Sequence, residues 1–455
     1  MRRKNFLLIL LLEGIFYLTS GQSTDILKLS ASQAKDFALD NNRTVQSSKI
    51  DIDLAEKKIR ENLASGLPQV NLDANYLHQF VVPELNLGPF LDTSALPDGL
   101  VTGNEIRNAY VPSPTIPLGV KNNTVIDLTV SQLIFSGQYF VALKAARVVR
   151  ELSEKALVKT EDQIKEAVAV SYYLILVLNE NIRLLDETRE SLDRMYNETL
   201  GMNKQGLNEE TDVDQVKINR SNVEVLIKTM ESQHNIAMKQ FKYLLGVDLE
   251  QQVELTDSLN GIINQGNLMY LLSTDYNIEN SVDFQIAGIR ENITEQLLKL
   301  EKAKYLPVIS GFYRHQEQTN QPSFNFAVKD VIGVSLNLPI FQSGIRSSRV
   351  SQARFDLQKV RLNKLDTEMN LIMEYETARS NYQTAHSNFM IISESMDLSR
   401  KVYDRTTIKF REGVSSSFEL MQIQNQFLNA ESSYYNSLLS LLKSKAALDR
   451  ILRLN

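Results

Sequence analysis

The sequence predicts a mostly α-helical chain that carries two pairs of β-strands and repeats one unit twice, and three observations predict it. The ten prolines fall at 68, 83, 89, 97, 112, 114 and 117, then at 307, 322 and 339. Proline costs about 3 kcal/mol inside a helix, so these positions mark where helix cannot run. The proline-free stretches Ser136 to Tyr305 and Gln342 to Asn455 are rich in Leu, Glu, Lys, Gln and Ala, all good helix formers. A constant offset relates the two stretches: Gly137 and Gly206 are matched by Gly344 and Gly413, 207 residues later.

The elements follow in order. Arg2, Arg3 and Lys4 precede the apolar run Phe6 to Leu12 and the small residues Thr19-Ser20-Gly21, the three-part build of a secretory signal over 1–21. Its removal leaves a net charge of −8 in place of −6. The first copy spans 22–246, with strands at about 69–82 and 122–135 around a Pro- and Gly-bearing loop, 83–121. In the second strand Ile126, Leu128 and Val130 alternate with Asp127, Thr129 and Ser131, the pattern of a strand with one wet face. A linker, 247–276, leads to the second copy, 277–455, with strands at about 307–317 and 324–341. There Ile332, Val334, Leu336 and Leu338 alternate with Gly333, Ser335 and Asn337.

After the last strand the period changes. Tyr375, Ala378, Tyr382, Ala385, Phe389, Ile392 and Met396 step by three and four, one face of a helix laid against a partner. Each copy therefore reads helix, strand, strand, long helix, Gly turn, helix. At the offset of 207, Ala146-Arg147 meets Ala353-Arg354, Tyr196 meets Tyr403, Asp212 meets Glu419 and Gln215 meets Gln422. Upstream the offset becomes 239, where Gln46 meets Gln285, Ala64 meets Ala303 and Leu67-Pro68 meets Leu306-Pro307; the difference is the loop 83–121. A helix from Gly137 to Gly206 would be about 100 Å long at 1.5 Å per residue, which describes a tall column.

Composition narrows the function. The chain has no Cys and only four His, at 78, 234, 315 and 386, so thiolate zinc and Cys chemistry are excluded and a histidine-based catalytic site is not expected. Asp and Glu are spread along helix faces at solvated spacing rather than clustered, so no enzyme and no cofactor are predicted. A negative charge offers no footprint for nucleic acid. No later segment approaches 18 consecutive apolar residues, so a membrane crossing would have to use the β-strands. Four strands cannot close a barrel alone, which points to an oligomer. With no Trp, the interface aromatics would be Tyr76, Phe80, Tyr110, Phe312, Tyr313, Phe324 and Phe326. A soluble periplasmic coiled-coil scaffold or adaptor is the rival reading.

The residues resemble the TolC-type outer-membrane efflux proteins over nearly the whole chain after residue 21. The resemblance is carried by Leu27-Lys28-Leu29-Ser30 with Ala38-Leu39 and Asn41-Asn42, the Leu-Pro steps at 67–68 and 306–307, and the strand ends Phe135-Ser136-Gly137 and Phe341-Gln342-Ser343-Gly344. The duplicated turns at Gly206 and Gly413 and the helix ends Leu244-Leu245-Gly246 and Ile451-Leu452 complete it. It implies a homotrimer whose strands close a 12-stranded β-barrel in outer-membrane lipid, continued by a long periplasmic α-helical barrel. The implied activity is an exit duct for efflux or type I secretion, joined to a periplasmic adaptor (membrane fusion protein) and an inner-membrane RND or ABC pump.

By the same resemblance, strand starts and ends fall at Pro68, Phe135, Gly137, Pro307, Phe341 and Gly344. The periplasmic gate and tip fall at Gly206, Asp212, Gln215, Phe410, Gly413, Glu419 and Gln422. Phe410, Ser415 and Gln422 depart from the best-known family pattern, which has a latching Tyr, a basic residue and a second acid there. Under threefold symmetry Asp212 or Glu419 would form a ring of carboxylates. As residues near a helix N-terminus, both also suit the helix dipole.

Overall fold

The computed structural model describes residues 26–86, 115–259, 261–262, 268–321, 325 and 327–453. The expected signal at 1–21, residues 87–114 of the expected loop, and Tyr110, Phe324 and Phe326 lie outside the described residues. In chain order the elements are β1 (Leu27–Leu29), α1 (Ala31–Asn41), α2 (Arg43–Ala64), β2 (Gln69–His78), β3 (Glu84–Asn86) and β4 (Thr115–Pro117). There follow β5 (Asn122–Ser136), α3 (Gly137–Lys204), α4 (Glu210–Leu245), β6 (Val253–Leu255), α5 (Leu268–Ser273) and α6 (Val282–Ala303). The chain continues through β7 (Val308–Gln318), β8 (Asp330–Asn337), α7 (Ile345–Arg411) and α8 (Ser417–Leu452). α2 and α6 are both 22 residues long, α4 and α8 both 36, and α3 and α7 are 68 and 67.

The chain divides into two compact units. One, residues 53–151 and 289–361, holds a four-stranded antiparallel sheet in the order β2-β5-β7-β8. Proline sets its margins: Pro68 and Pro307 each stand one residue before a strand, and Pro339 follows the end of β8. β2 stops at His78 rather than 82, and the chain bends at Phe80 and Val81 ahead of Pro83. The ladder between β7 and β8 runs from His315 and Asp330 to Val308 and Asn337, shorter than 324–341.

The two copies differ at the strand-to-helix junction. β5 runs into α3 without a break, with a bulge between Leu133 and Phe135. After β8 seven residues, 338–344, precede the helix, and the chain turns through Ser343 (φ 45°) and Gly344 (φ 83°). Arg346 holds this second junction. Its guanidinium donates to the Pro339 carbonyl at 2.7 Å and to Gln342 Oε1 at 3.0 Å, and lies over the Tyr305 ring.

The other unit, residues 26–52, 152–288 and 362–453 as described, is helical. Its core falls into two clusters. The first gathers Tyr172, Phe241, Tyr382, Leu438 and Leu448, and the second Leu192, Val223, Tyr403, Leu420 and Phe427. The seam expected on α7 is buried at Tyr375, Tyr382, Ala385, Phe389 and Met396. One stretch of α3 is long and apolar enough to cross a membrane, but Val168, Tyr172 and Ile175 within the helix are fully buried in the first cluster, so core packing accounts for it. Two short strand pairings lie outside the four strands expected from the sequence. β1 pairs in parallel with β6, tying the chain start to 247–276, and β3 pairs with β4. Three-residue strands are too short to show a period.

Candidate functional site

Two places are built for more than packing: one face of the sheet and the paired helix turns at Gly206 and Gly413. In an antiparallel ladder, residues directly opposite share a face. Val70 pairs with Val130, Val130 with Tyr313 and Tyr313 with Ile332, so one apolar row crosses all four strands. On the same face lie Leu72, Leu128, Ile126, Val334 and Leu336, and Val70, Leu72, Ile332, Val334 and Leu336 are all more than 60% exposed. Phe341 and Ile340, just past the strand, are 84% and 91% exposed. Towards the other end the face turns polar: Tyr313 donates to Asp330 at 2.6 Å, His315 contacts the same carboxylate at 2.8 Å, and Lys329 pairs with Glu317 at 3.0 Å.

The opposite face is mostly polar, with Val125, Phe312 and Val331 among its residues. Asn71, Thr129 and Arg314 form one row, and Asp73 stands directly opposite Asp127. Like charges directly opposite are destabilising unless water screens them, so this pairing suits a face towards water better than one towards lipid. The edge strands β2 and β8 have no outer neighbour among the described residues.

The turns are near copies. α3 ends at Lys204 and α7 at Arg411, and each chain then reverses through a glycine with positive φ, Gly206 at 74° and Gly413 at 72°, a conformation other residues rarely hold. Asp212 and Glu419 both occupy the third position of the helix that follows. Ser416 Oγ accepts from the Glu419 N–H at 3.1 Å, and Asp212 Oδ2 accepts from the Glu209 N–H at 3.4 Å. Both carboxylates thus sit at helix N-termini, where negative charge is favoured. Ser415 Oγ donates to Glu419 Oε2 at 2.7 Å.

The structure brings the copies together here, because Ser417 Oγ donates to Asp212 Oδ1, a bond from the start of α8 to the start of α4. Arg411 reaches Glu198 of α3 at 3.7 Å, a second tie between the two hairpins. Phe410 is half-buried against the second cluster, Gln215 is half-buried, and Gln422 and Glu419 are exposed. Phe135 and Gly137 lie at the join of β5 and α3, and a Cβ on Gly137 would collide with Leu306. Sequence reasoning passed over Ser416, Ser417 and Glu209. The signal was present, since Ser416 to Glu419 spells a capping box. One expectation is corrected: acidic residues are not all solvated, because Glu431 on α8 is 2% exposed between the buried Phe427 and Tyr435. Its position on the buried stripe outweighs its charge.

A family profile described as outer membrane efflux protein matches residues 36–247 and 276–452. The cobalt-zinc-cadmium resistance protein CzcC of Cupriavidus metallidurans is 21% identical over 321 residues, covering 70% of this chain and 74% of that protein. Among solved structures, the CmeC outer membrane channel of Campylobacter jejuni superposes with a TM-score of 0.70 at 16% identity, covering 93% of this chain and 85% of that one. The outer membrane protein VceC of Vibrio cholerae gives 0.67 at 15%, covering 93% and 95%.

Proposed function

The chain belongs to the outer membrane efflux protein family, and from that premise we propose how it works as an exit duct. Members of this family are channels of the outer membrane rather than enzymes. In our reading three copies join β8 of one to β2 of the next, closing a 12-stranded barrel with the row Val70, Val130, Tyr313, Ile332 towards lipid. The Asp73 and Asp127 face lines the lumen. The observation that carries this is the sorting of the sheet: every backbone group in lipid must be paired, and a sheet with one apolar face and two open edges meets that demand only by closing with copies of itself.

The helices α3, α4, α7 and α8 then form the periplasmic extension. The turns at Gly206 and Gly413, with Asp212, Gln215, Phe410, Glu419 and Gln422, form its closing tip, and residues 247–276 with the chain ends form a belt around it. The duct has no energy source of its own, so a periplasmic adaptor and an inner-membrane pump of the RND or ABC type would drive export.

The test is the sedimentation mass of protein extracted from outer membranes in detergent, with its conductance in planar bilayers, for the native chain and Val334→Arg. The native chain is expected to sediment as three copies and to conduct. The arginine, set on the lipid face at a cost of about 2–4 kcal/mol, is expected to lower the yield of trimer. A water-soluble native chain without conductance would return the scaffold reading.

A further inference from the structure

The second helical cluster holds a carboxyl for which the packing provides no partner. Glu431 is 2% exposed, and neither of its carboxylate oxygens has a hydrogen-bond partner. It lies one turn beyond Phe427 and one turn before Tyr435, both buried. The groups that face it are Arg400 on α7, Glu187 and Arg183 on α3, and Tyr435 on α8 itself, while α4 brings Ile227 and Met230 to the same cluster. Arg183 is already engaged by Glu180 and Glu187.

Other polar groups in this part of the unit are in the same condition. Gln424 Nε2 on α8, Tyr403 OH on α7 and Thr199 Oγ1 on α3 are buried without partners. An unpaired carboxylate in such a place is costly, and the group keeps its proton instead. Burial pushes the Glu431 carboxyl up to about 7, with Arg400 opposing, Glu187 adding to the rise and Arg183 opposing.

We propose that Glu431 is a proton-linked pin: as the neutral acid it seats this length of α8 against α3 and α7, and losing its proton to solvent releases that seat. The sign follows from linkage. Below about pH 4.5, the ordinary value for this side chain, seated and released forms both hold the proton and seating is favoured in full. From there to about pH 7 only the seated form keeps it, so seating weakens by up to about tenfold per pH unit, and above that the loss is complete. The inference rests on the packing of the helical unit alone and stands apart from conduction.

Amide hydrogen exchange on the full chain in detergent, from pH 5 to pH 8.5, tests it against Glu431→Gln. After correction for intrinsic exchange, native protection around residues 427–435 is expected to fall about tenfold or more by pH 8. E431Q is expected to stay protected throughout, and the cluster around Tyr172 to change in neither. Native protection that stays flat, or an equal fall in E431Q, would overturn the pin. Should E431Q fail to assemble, infrared titration of native protein carrying ¹³C-labelled glutamate separates this carboxyl from the half-buried Asp449, whose carboxyl burial also raises. A protonated carbonyl band that vanishes near neutrality supports the proposal, and one that vanishes in the ordinary carboxylate range rejects it.

Discussion

The two clusters of the helical unit draw on the same four long helices but treat their polar groups differently. In the first, Tyr172 is fully buried, and its phenol donates to the Leu29 carbonyl at 3.1 Å and accepts from the Asp257 N–H at 3.2 Å. Asp257 in turn accepts from the Ala31 N–H at 2.7 Å. One side chain of α3 thereby closes the short β1 and β6 pairing onto the core. Burial pushes this phenol up to about 12, so it remains a donor at any working pH. In the second cluster Tyr403 stacks on Phe427 at 5.1 Å, yet its hydroxyl finds nothing, and Gln424 and Glu431 fare no better. Satisfied buried polar groups rigidify a core, whereas unsatisfied ones lower the cost of parting it. The first cluster is built to hold and the second, on the side of the turns, to yield.

The largest effect should come from removing the hold. Tyr172→Ala is expected to cost about 3–5 kcal/mol, since it empties a packed aromatic site and strands the Leu29 carbonyl and the Asp257 N–H. Tyr172→Phe, which keeps the ring, should cost about 1 kcal/mol. Denaturant unfolding of the helices, followed by circular dichroism, measures both. Equal costs for the two variants would mean that the hydroxyl carries the site and the ring does not, and the comparison would need another basis.

A smaller effect of opposite sign is expected from the second cluster. Gln424 is 1% exposed and its amide nitrogen is unpartnered. Gln424→Met keeps the length of the side chain and removes the unsatisfied donor, so it should stabilise the unit by about 1 kcal/mol. Loss of stability in the same unfolding assay would reveal a partner for this amide and break the contrast.

What could be read in advance follows the same division. Proline and helix formers placed the long helices, and the constant offset of 207 predicted that α4 and α8 would match. Alternation at Ile332, Val334 and Leu336 marked a strand, and the register then put these residues on one face. The polar defects of the second cluster were hidden, because a single Glu in a helix rich in Glu, Gln and Ser looks solvated until the stripe it lies on is known to be covered on both sides. Ser417 was hidden for a related reason. Its partner, Asp212, is 205 residues away and belongs to the other copy, a pairing that no local spacing encodes.

That bond supports the smallest prediction and the sharpest one. Ser417 is buried and Asp212 is half-buried, so water can replace much of what Ser417→Ala removes. The expected loss is about 0.5 kcal/mol, below the effect of Gln424→Met and confined to the first turn of α8. If the turns form the closing tip, the bond from Ser417 to Asp212 ties one hairpin to the other where the duct narrows. A small thermodynamic loss should then give a large functional reading, with S417A raising single-channel conductance while trimer yield stays unchanged. An increase would locate the yielding end of the column at these turns. Unchanged conductance, with local amide exchange faster at α8, would leave the yielding cluster intact as a property of the fold and take the gate away from Asp212.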